Sequence, residues 1–189
     1  DFTLFDPIHY YRPFVGERYK MVNYELFRGC PFKCSYCINV AQRDLYDGLG
    51  SFRRGKEVSQ SIEELELLIK EYDFNFIRFW DDDFTSIPTK YLRAYSEEYI
   101  DKINLPFLVN SRVETISPEK VQILKEMGCK SFSMGIEHGN GIIRSDLMNR
   151  KMSDDLIVNN IALVKSAGIR VSVYNLIGVP GETRETIFE

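Results

Sequence analysis

Three cysteines fall within eight residues, Cys30-Pro31-Phe32-Lys33-Cys34-Ser35-Tyr36-Cys37, and their spacing invites metal chemistry. Spacings of four and three would suit one turn of helix. Gly29, Pro31 and the strand-like run Asn23 to Arg28 before them argue instead for a loop wrapped around a metal. Three thiolates can hold three irons of a [4Fe-4S] cubane and leave the fourth iron without a protein ligand. An unfilled coordination position is what a catalytic metal site keeps and a structural site closes. Zinc is the alternative metal, but it asks for four ligands, usually in Cys-x2-Cys pairs. The remaining cysteine, Cys129, lies in a distant unit and reads as a core residue.

The chain around this loop has 189 residues, enough for one domain with a substantial core. A formal charge of −4 with no long basic block argues against a nucleic-acid partner. No apolar run is long enough to span a bilayer and no signal-peptide pattern opens the chain, so a cytoplasmic location is expected. Four cysteines, three of them clustered, fit metal binding in a reducing compartment better than disulfides. The sequence starts at Asp1 and stops at Glu189 just as a helix begins, so a fragment of a longer protein is expected.

The elements that must position the cysteines follow in order. Residues 1–22 read as a lead-in segment, rich in aromatics and broken by Pro7 and Pro13, ahead of a core domain over residues 23–189. Strand one is Asn23 to Arg28, and the cysteine loop then continues to Gly50. The cations Arg53, Arg54 and Lys56 after it could meet an anion or simply be solvated. Ser61-Ile-Glu-Glu64 reads as a capping box opening the first helix, with Ile62, Leu65, Leu68, Ile69 and Tyr72 on one face. Strands at 74–80, 106–110, 130–136 and 169–177 alternate with helices at about 88–103, after Ser117-Pro118, and after Ser153. Five strand-helix units predict an α/β fold with a parallel sheet and outer helices, curling toward a partial barrel. Cys30, Asp81, Arg112, Glu137 and Glu182 each follow a strand, so they should converge on one mouth.

The pattern Cys-x3-Cys-x2-Cys, with Tyr36 before the last cysteine, resembles the signature of radical S-adenosylmethionine (SAM) enzymes. The resemblance runs from Tyr24 to Glu185. It implies a partial (β/α) barrel, of which five units are present and a sixth is not. It also implies a [4Fe-4S] cluster on Cys30, Cys34 and Cys37, and SAM bound through its amino and carboxylate groups at the open iron. Electron transfer would then give a 5'-deoxyadenosyl radical that removes hydrogen from a small-molecule substrate. The electron donor would be a flavodoxin or ferredoxin.

Asp81 and Asp82 occupy the place of the family's contact to the methionine amino group, where Gly-Gly-Glu is usual. Arg112 could pair with the methionine carboxylate. Glu137, in Gly-Ile-Glu-His-Gly, is similar to a glutamate that binds ribose, and His138 stands where serine is usual, either as a proton donor or as a locally hydrogen-bonded loop residue. Gly178 and Gly181, in Ile177-Gly-Val-Pro-Gly-Glu182-Thr183, resemble the turn that brackets adenine. The Asp-Asp pair and Tyr-Glu-Leu-Phe-Arg-Gly-Cys resemble the cobalamin-dependent subgroup most, which implies methylation or rearrangement with cobalamin held by a domain absent here. A methylthiotransferase and a non-catalytic iron-sulfur or zinc module are the alternatives.

Overall fold

The computed structural model describes residues 2–189. A hairpin opens the sheet: β1 (Tyr11–Phe14) turns at Val15 and Gly16, both with positive φ, into β2 (Glu17–Tyr24). Beyond it, β3 (Phe27–Arg28) and β4 (Arg54–Gly55) form a two-stranded ribbon, and α1 (Ile38–Leu45) lies between them. Then α2 (Val58–Tyr72), β5 (Phe76–Phe79), α3 (Thr89–Lys102), β6 (Phe107–Arg112), α4 (Pro118–Glu126), β7 (Cys129–Glu137), α5 (Asp154–Ser166), β8 (Arg170–Asn175) and α6 (Arg184–Ile187) alternate. The six-stranded sheet runs β1-β2-β5-β6-β7-β8; every pairing is parallel except β1 with β2. This is the expected α/β partial barrel with five parallel strands.

Strand periodicity divides the two faces. Ile77 and Phe79 turn toward the helices, where the Phe79 ring lies 4.8 Å from Phe84, 5.3 Å from Phe107 and 6.3 Å from both Tyr95 and Tyr99. Phe76 and Arg78 turn to the concave side. There Phe76 meets Phe14 at 5.2 Å and Tyr19 at 5.0 Å, so the hairpin plugs the bottom of the half-barrel. The helix signals at Ser117 and Ser153 hold: their hydroxyls accept from the N–H groups of Lys120 and Leu156.

Three local expectations change. The first parallel strand is Glu17–Tyr24 rather than Asn23 to Arg28, so half of the segment read as a lead-in builds sheet. Its alternation was hidden by charged residues on the open side of a hairpin. Second, the residues after Cys37 form α1 instead of continuing as loop. Third, α2 begins at Val58, one turn before Ser61, whose buried hydroxyl accepts from Tyr24 Oη at 3.1 Å instead of capping.

Asp81 and Asp83 fasten strand ends. Asp81 accepts the N–H groups of Leu26 (3.2 Å) and Phe27 (2.6 Å), and Asp83 Oδ1 accepts the N–H of Arg112 at 3.2 Å and the hydroxyls of Thr85 and Thr115, each at 3.0 Å. Both are buried, while Asp82 between them is exposed.

Two outcomes are expected. Phe79→Ala should lower the unfolding free energy by about 3–5 kcal/mol in urea titrations, because it empties the centre of an aromatic cluster. Burial pushes the Asp81 carboxyl from 3.8 up to about 7, so the folded chain holds a proton that the unfolded chain has already released. This contribution to stability is therefore present in full below about 4 and is lost as pH rises toward about 7. The urea midpoint of the wild type should fall across that range relative to Asp81→Asn; parallel pH profiles would disprove the assignment.

Candidate cofactor site

Gly29, with φ +87°, lets the chain turn into the cysteine loop. A Cβ there would lie 2.4 Å from the Phe52 carbonyl oxygen, so a side chain has no room. The loop is tied down from three sides. Arg43 of α1 donates to the carbonyl oxygens of Cys30 and, at 3.1 Å, Phe32. Ser35 N–H donates to Met148 O at 3.2 Å, and Asn149 Nδ2 to Lys33 O at 2.8 Å. Within the loop, Cys37 N–H donates to Cys34 O at 3.1 Å.

All four cysteines are free. Cys30 and Cys34 are buried, Cys37 is half-buried, and Cys129 sits in the core as expected. Burial pushes the Cys30 thiol up to about 11, so a metal bound there must displace its proton. Arg112 Nη1 lies 2.8 Å from Cys34 Sγ, and Asn39 Nδ2 lies 3.6 Å from Cys37 Sγ, both positioned to donate to a thiolate. Among the described residues, no three His, Cys, Asp or Glu side chains converge on one point as a single metal ion requires. A cubane does not need that convergence, since each sulfur binds a different iron. A loop of three thiols facing one cavity, with N–H donors at two sulfurs, fits it.

That cavity, about 330 Å³, opens at the C-terminal ends of β5, β6 and β7. The three cysteines and Tyr36 form one wall; Asp81, Asp82, Arg112 and Glu137 contribute to the rest. Of the five residues expected to converge, Cys30, Asp81, Arg112 and Glu137 line this cavity while Glu182 is held outside it by His138 and Gly178, and the side chains differ in what they have free. The carboxylate of Asp81 is committed to the backbone of β3 and its approach. Asp82 has no hydrogen-bond or ion-pair partner among the described residues. Arg112 is already engaged, paired with Glu114, stacked 3.8 Å over the Phe32 ring and donating to Cys34. Glu137, at φ +73°, receives Arg150 Nη1 on Oε1 at 2.7 Å and keeps Oε2.

Arg150 is the site residue that sequence reasoning missed. Its guanidinium, 2% exposed, reaches Glu137, Glu114 (3.1 Å) and Tyr36 Oη (3.3 Å). It follows Asn149 in an irregular segment after a π-turn, with no periodicity to mark it; its one signal is a cation among Met148, Asn149 and Met152. Gly135 makes this pairing possible, because a Cβ there would lie 2.0 Å from Glu137 Oε1 and 2.9 Å from Arg150 Nη1.

Gly178 and Gly181 lie outside the first cavity. Gly178 lines an adjoining one of about 440 Å³ with Tyr36, Leu176 and Pro180, and Gly181 shapes the turn with φ +82°. His138 hydrogen-bonds both within its own loop and across to the turn after β8. Its Nδ1 accepts from Asn140 N–H at 2.9 Å, so Nε2–H donates to Glu182 at 2.8 Å, while Glu182 also accepts from Gly178 N–H at 2.6 Å. That bond from Gly178 is the main reason the Glu182 carboxyl titrates below its ordinary range. Of the cations after the loop, Arg53 binds Ser86 and Lys56 pairs with Glu64.

The chain is 29% identical over 160 residues to an "uncharacterized methyltransferase" of Pyrococcus horikoshii, covering 85% of this chain and 33% of that one. It is 26% identical over 165 residues to the anaerobic magnesium-protoporphyrin IX monomethyl ester cyclase of Rubrivivax gelatinosus, covering 86% and 28%. The chain thus spans about a third of the length of these curated relatives. Its fold resembles the radical S-adenosylmethionine methyltransferase TsrM from Kitasatospora setae, solved with cobalamin and a [4Fe-4S] cluster bound. That match has a TM-score of 0.73 at 22% identity and covers 89% of this chain and 33% of TsrM. No helix among the described residues is long and apolar enough to cross a membrane. Residues 24–189 match the family model of the Radical SAM superfamily, and the chain belongs to that superfamily.

Proposed function

We propose that this chain is the cofactor-binding core of a radical SAM enzyme that works with cobalamin to methylate or rearrange a small molecule. The observation that carries the reading is one cavity at the strand ends, walled by three free cysteines and by carboxylates with oxygens to spare. In this reading Cys30, Cys34 and Cys37 hold the [4Fe-4S] cluster. Asp82 accepts hydrogen bonds from the methionine ammonium. Arg112 and Arg150 supply positive potential for the thiolates and the methionine carboxylate. Glu137 Oε2 accepts from the ribose hydroxyls while Arg150 keeps the side chain in place. Tyr36 and the backbone at Gly178 border the space for adenine, and Gly181 holds that turn. Asp81 anchors the loop and does not touch the ligand.

When bound, the cluster would supply one electron that cleaves SAM to methionine and a 5'-deoxyadenosyl radical, the species that would abstract hydrogen. The fold shared with TsrM and the methyltransferase relative support cobalamin-assisted methylation, and the cyclase relative supports rearrangement. Cobalamin would be held by a domain outside this chain, and a flavodoxin or ferredoxin would deliver the electron.

Anaerobic reconstitution with iron and sulfide should load about four irons per chain. The electron paramagnetic resonance signal of the reduced protein should shift when SAM is added. Cys30→Ala, Cys34→Ala and Cys37→Ala should each lose that signal, and Cys129→Ala should keep it; one tightly held zinc in place of the cluster would overturn the reading. Glu137→Gln should weaken SAM binding about 10–100-fold in calorimetry of the reconstituted protein, with iron content unchanged. Unchanged affinity would remove Glu137 from the site.

A further inference from the structure

The concave face beside the cysteine cavity carries a charge that the fold does not balance. Arg78 of β5 sits between Phe76, which is sealed by the hairpin, and Trp80, which is half-exposed and lines the cavity. Its guanidinium lies 3.8 Å from the centre of the Trp80 ring. Its Nε is buried with no acceptor, and no carboxylate among the described residues pairs with it. The titratable groups that face it are Tyr174 of β8 and Arg12 of β1, and Arg12 repels it.

Arg78 is half-buried, and its contrast with the fully buried arginines, whose Nε atoms are equally without an acceptor, lies in their ion pairs. Arg112, Arg144 and Arg150 each have a carboxylate. A guanidinium partly removed from water beside a second cation is unfavourable without a counter-ion, and one aromatic face offsets only part of that cost. Above it, Trp80 shares the cavity wall with Asn110, Ser133 and Tyr174. Asn110 and Ser133 are register partners, and Asn110 stands two residues beyond Leu108, the partner of Arg78, so all of them face the concave side.

We propose that Arg78 and Trp80 form a substrate subsite for a small molecule bearing an anionic group, a carboxylate or a phosphate. The guanidinium pairs with the anion at the closed end of the half-barrel, and Trp80 packs along the body of the molecule. The part of the substrate directed to the cysteine cavity is then the part that reacts. Calling the ligand a substrate rests on the function proposed above. The binding itself needs neither cluster nor SAM, so the two readings fail separately.

Trp80 is the single tryptophan of the chain, so its fluorescence reports on this subsite alone. Benzoate or phenyl phosphate titrated into the cluster-free protein should give a saturable change in its emission, and the neutral isostere benzamide should not. The tighter of the two anions identifies the class. Arg78→Gln should weaken the anion response about tenfold or more. The same variant should keep or raise the thermal midpoint, since it removes an unpaired charge. Equal response to benzamide, no response to either anion, or a lower midpoint with anion binding intact would overturn the proposal.

Discussion

Two buried arginines share one glutamate, and the geometry of the site depends on that sharing. Glu114 receives Arg112 on one oxygen and Arg150 on the other. Arg112 extends the network to the Cys34 sulfur, and Arg150 extends it to Glu137 and Tyr36. Two cations and two carboxylates thus balance one another away from water. Leaving any one of them without its partner is strongly unfavourable, so the four side chains hold one arrangement together. The network joins the end of β6, the end of β7, the segment after the π-turn and the cysteine loop. Residues that line the cavity are therefore fixed by contacts made among themselves.

The strand period does the remaining placement. Beyond β5 the strand's alternation carries on in burial, with Asp81 and Asp83 buried and Asp82 exposed. Asp81 and Asp83 are spent on backbone and hydroxyl donors of neighbouring segments, and Asp82 is left open to the cavity. The same alternation sends Phe79 into the helix layer and leaves Arg78 and Trp80 on the concave face. One short strand thus serves the core, the loop anchor and the ligand side at once.

Much of this was legible in the sequence because it is periodic or punctuated. The parallel strands, the caps at Ser117 and Ser153 and the cysteine spacing all announce themselves locally, and strand order places their ends at one mouth. What stayed hidden depends on contacts between distant segments. Three adjacent aspartates look equivalent in sequence, and only burial separates Asp82 from its neighbours. Arg150 lies 36 residues from Glu114, in a stretch with no period. The hairpin at residues 11–24 was obscured because one of its faces is open and charged. Ser61 has the spacing of a cap, but its hydroxyl was claimed by Tyr24 across the helix-sheet interface.

Gly135 sets a boundary on how such a site can change over evolutionary time. Any side chain at this position would occupy the space of Glu137 Oε1 and Arg150 Nη1, so a larger residue has to displace that ion pair. The surrounding concave positions carry no such restriction: Ser133 and Tyr174 line the same cavity with side chains that can be exchanged without touching the network. A lineage could therefore explore new ligands by altering the concave wall while the Glu137–Arg150 pair stays in place beside Gly135. The absence of a single methyl group separates the part of the site that is free to diverge from the part that is not.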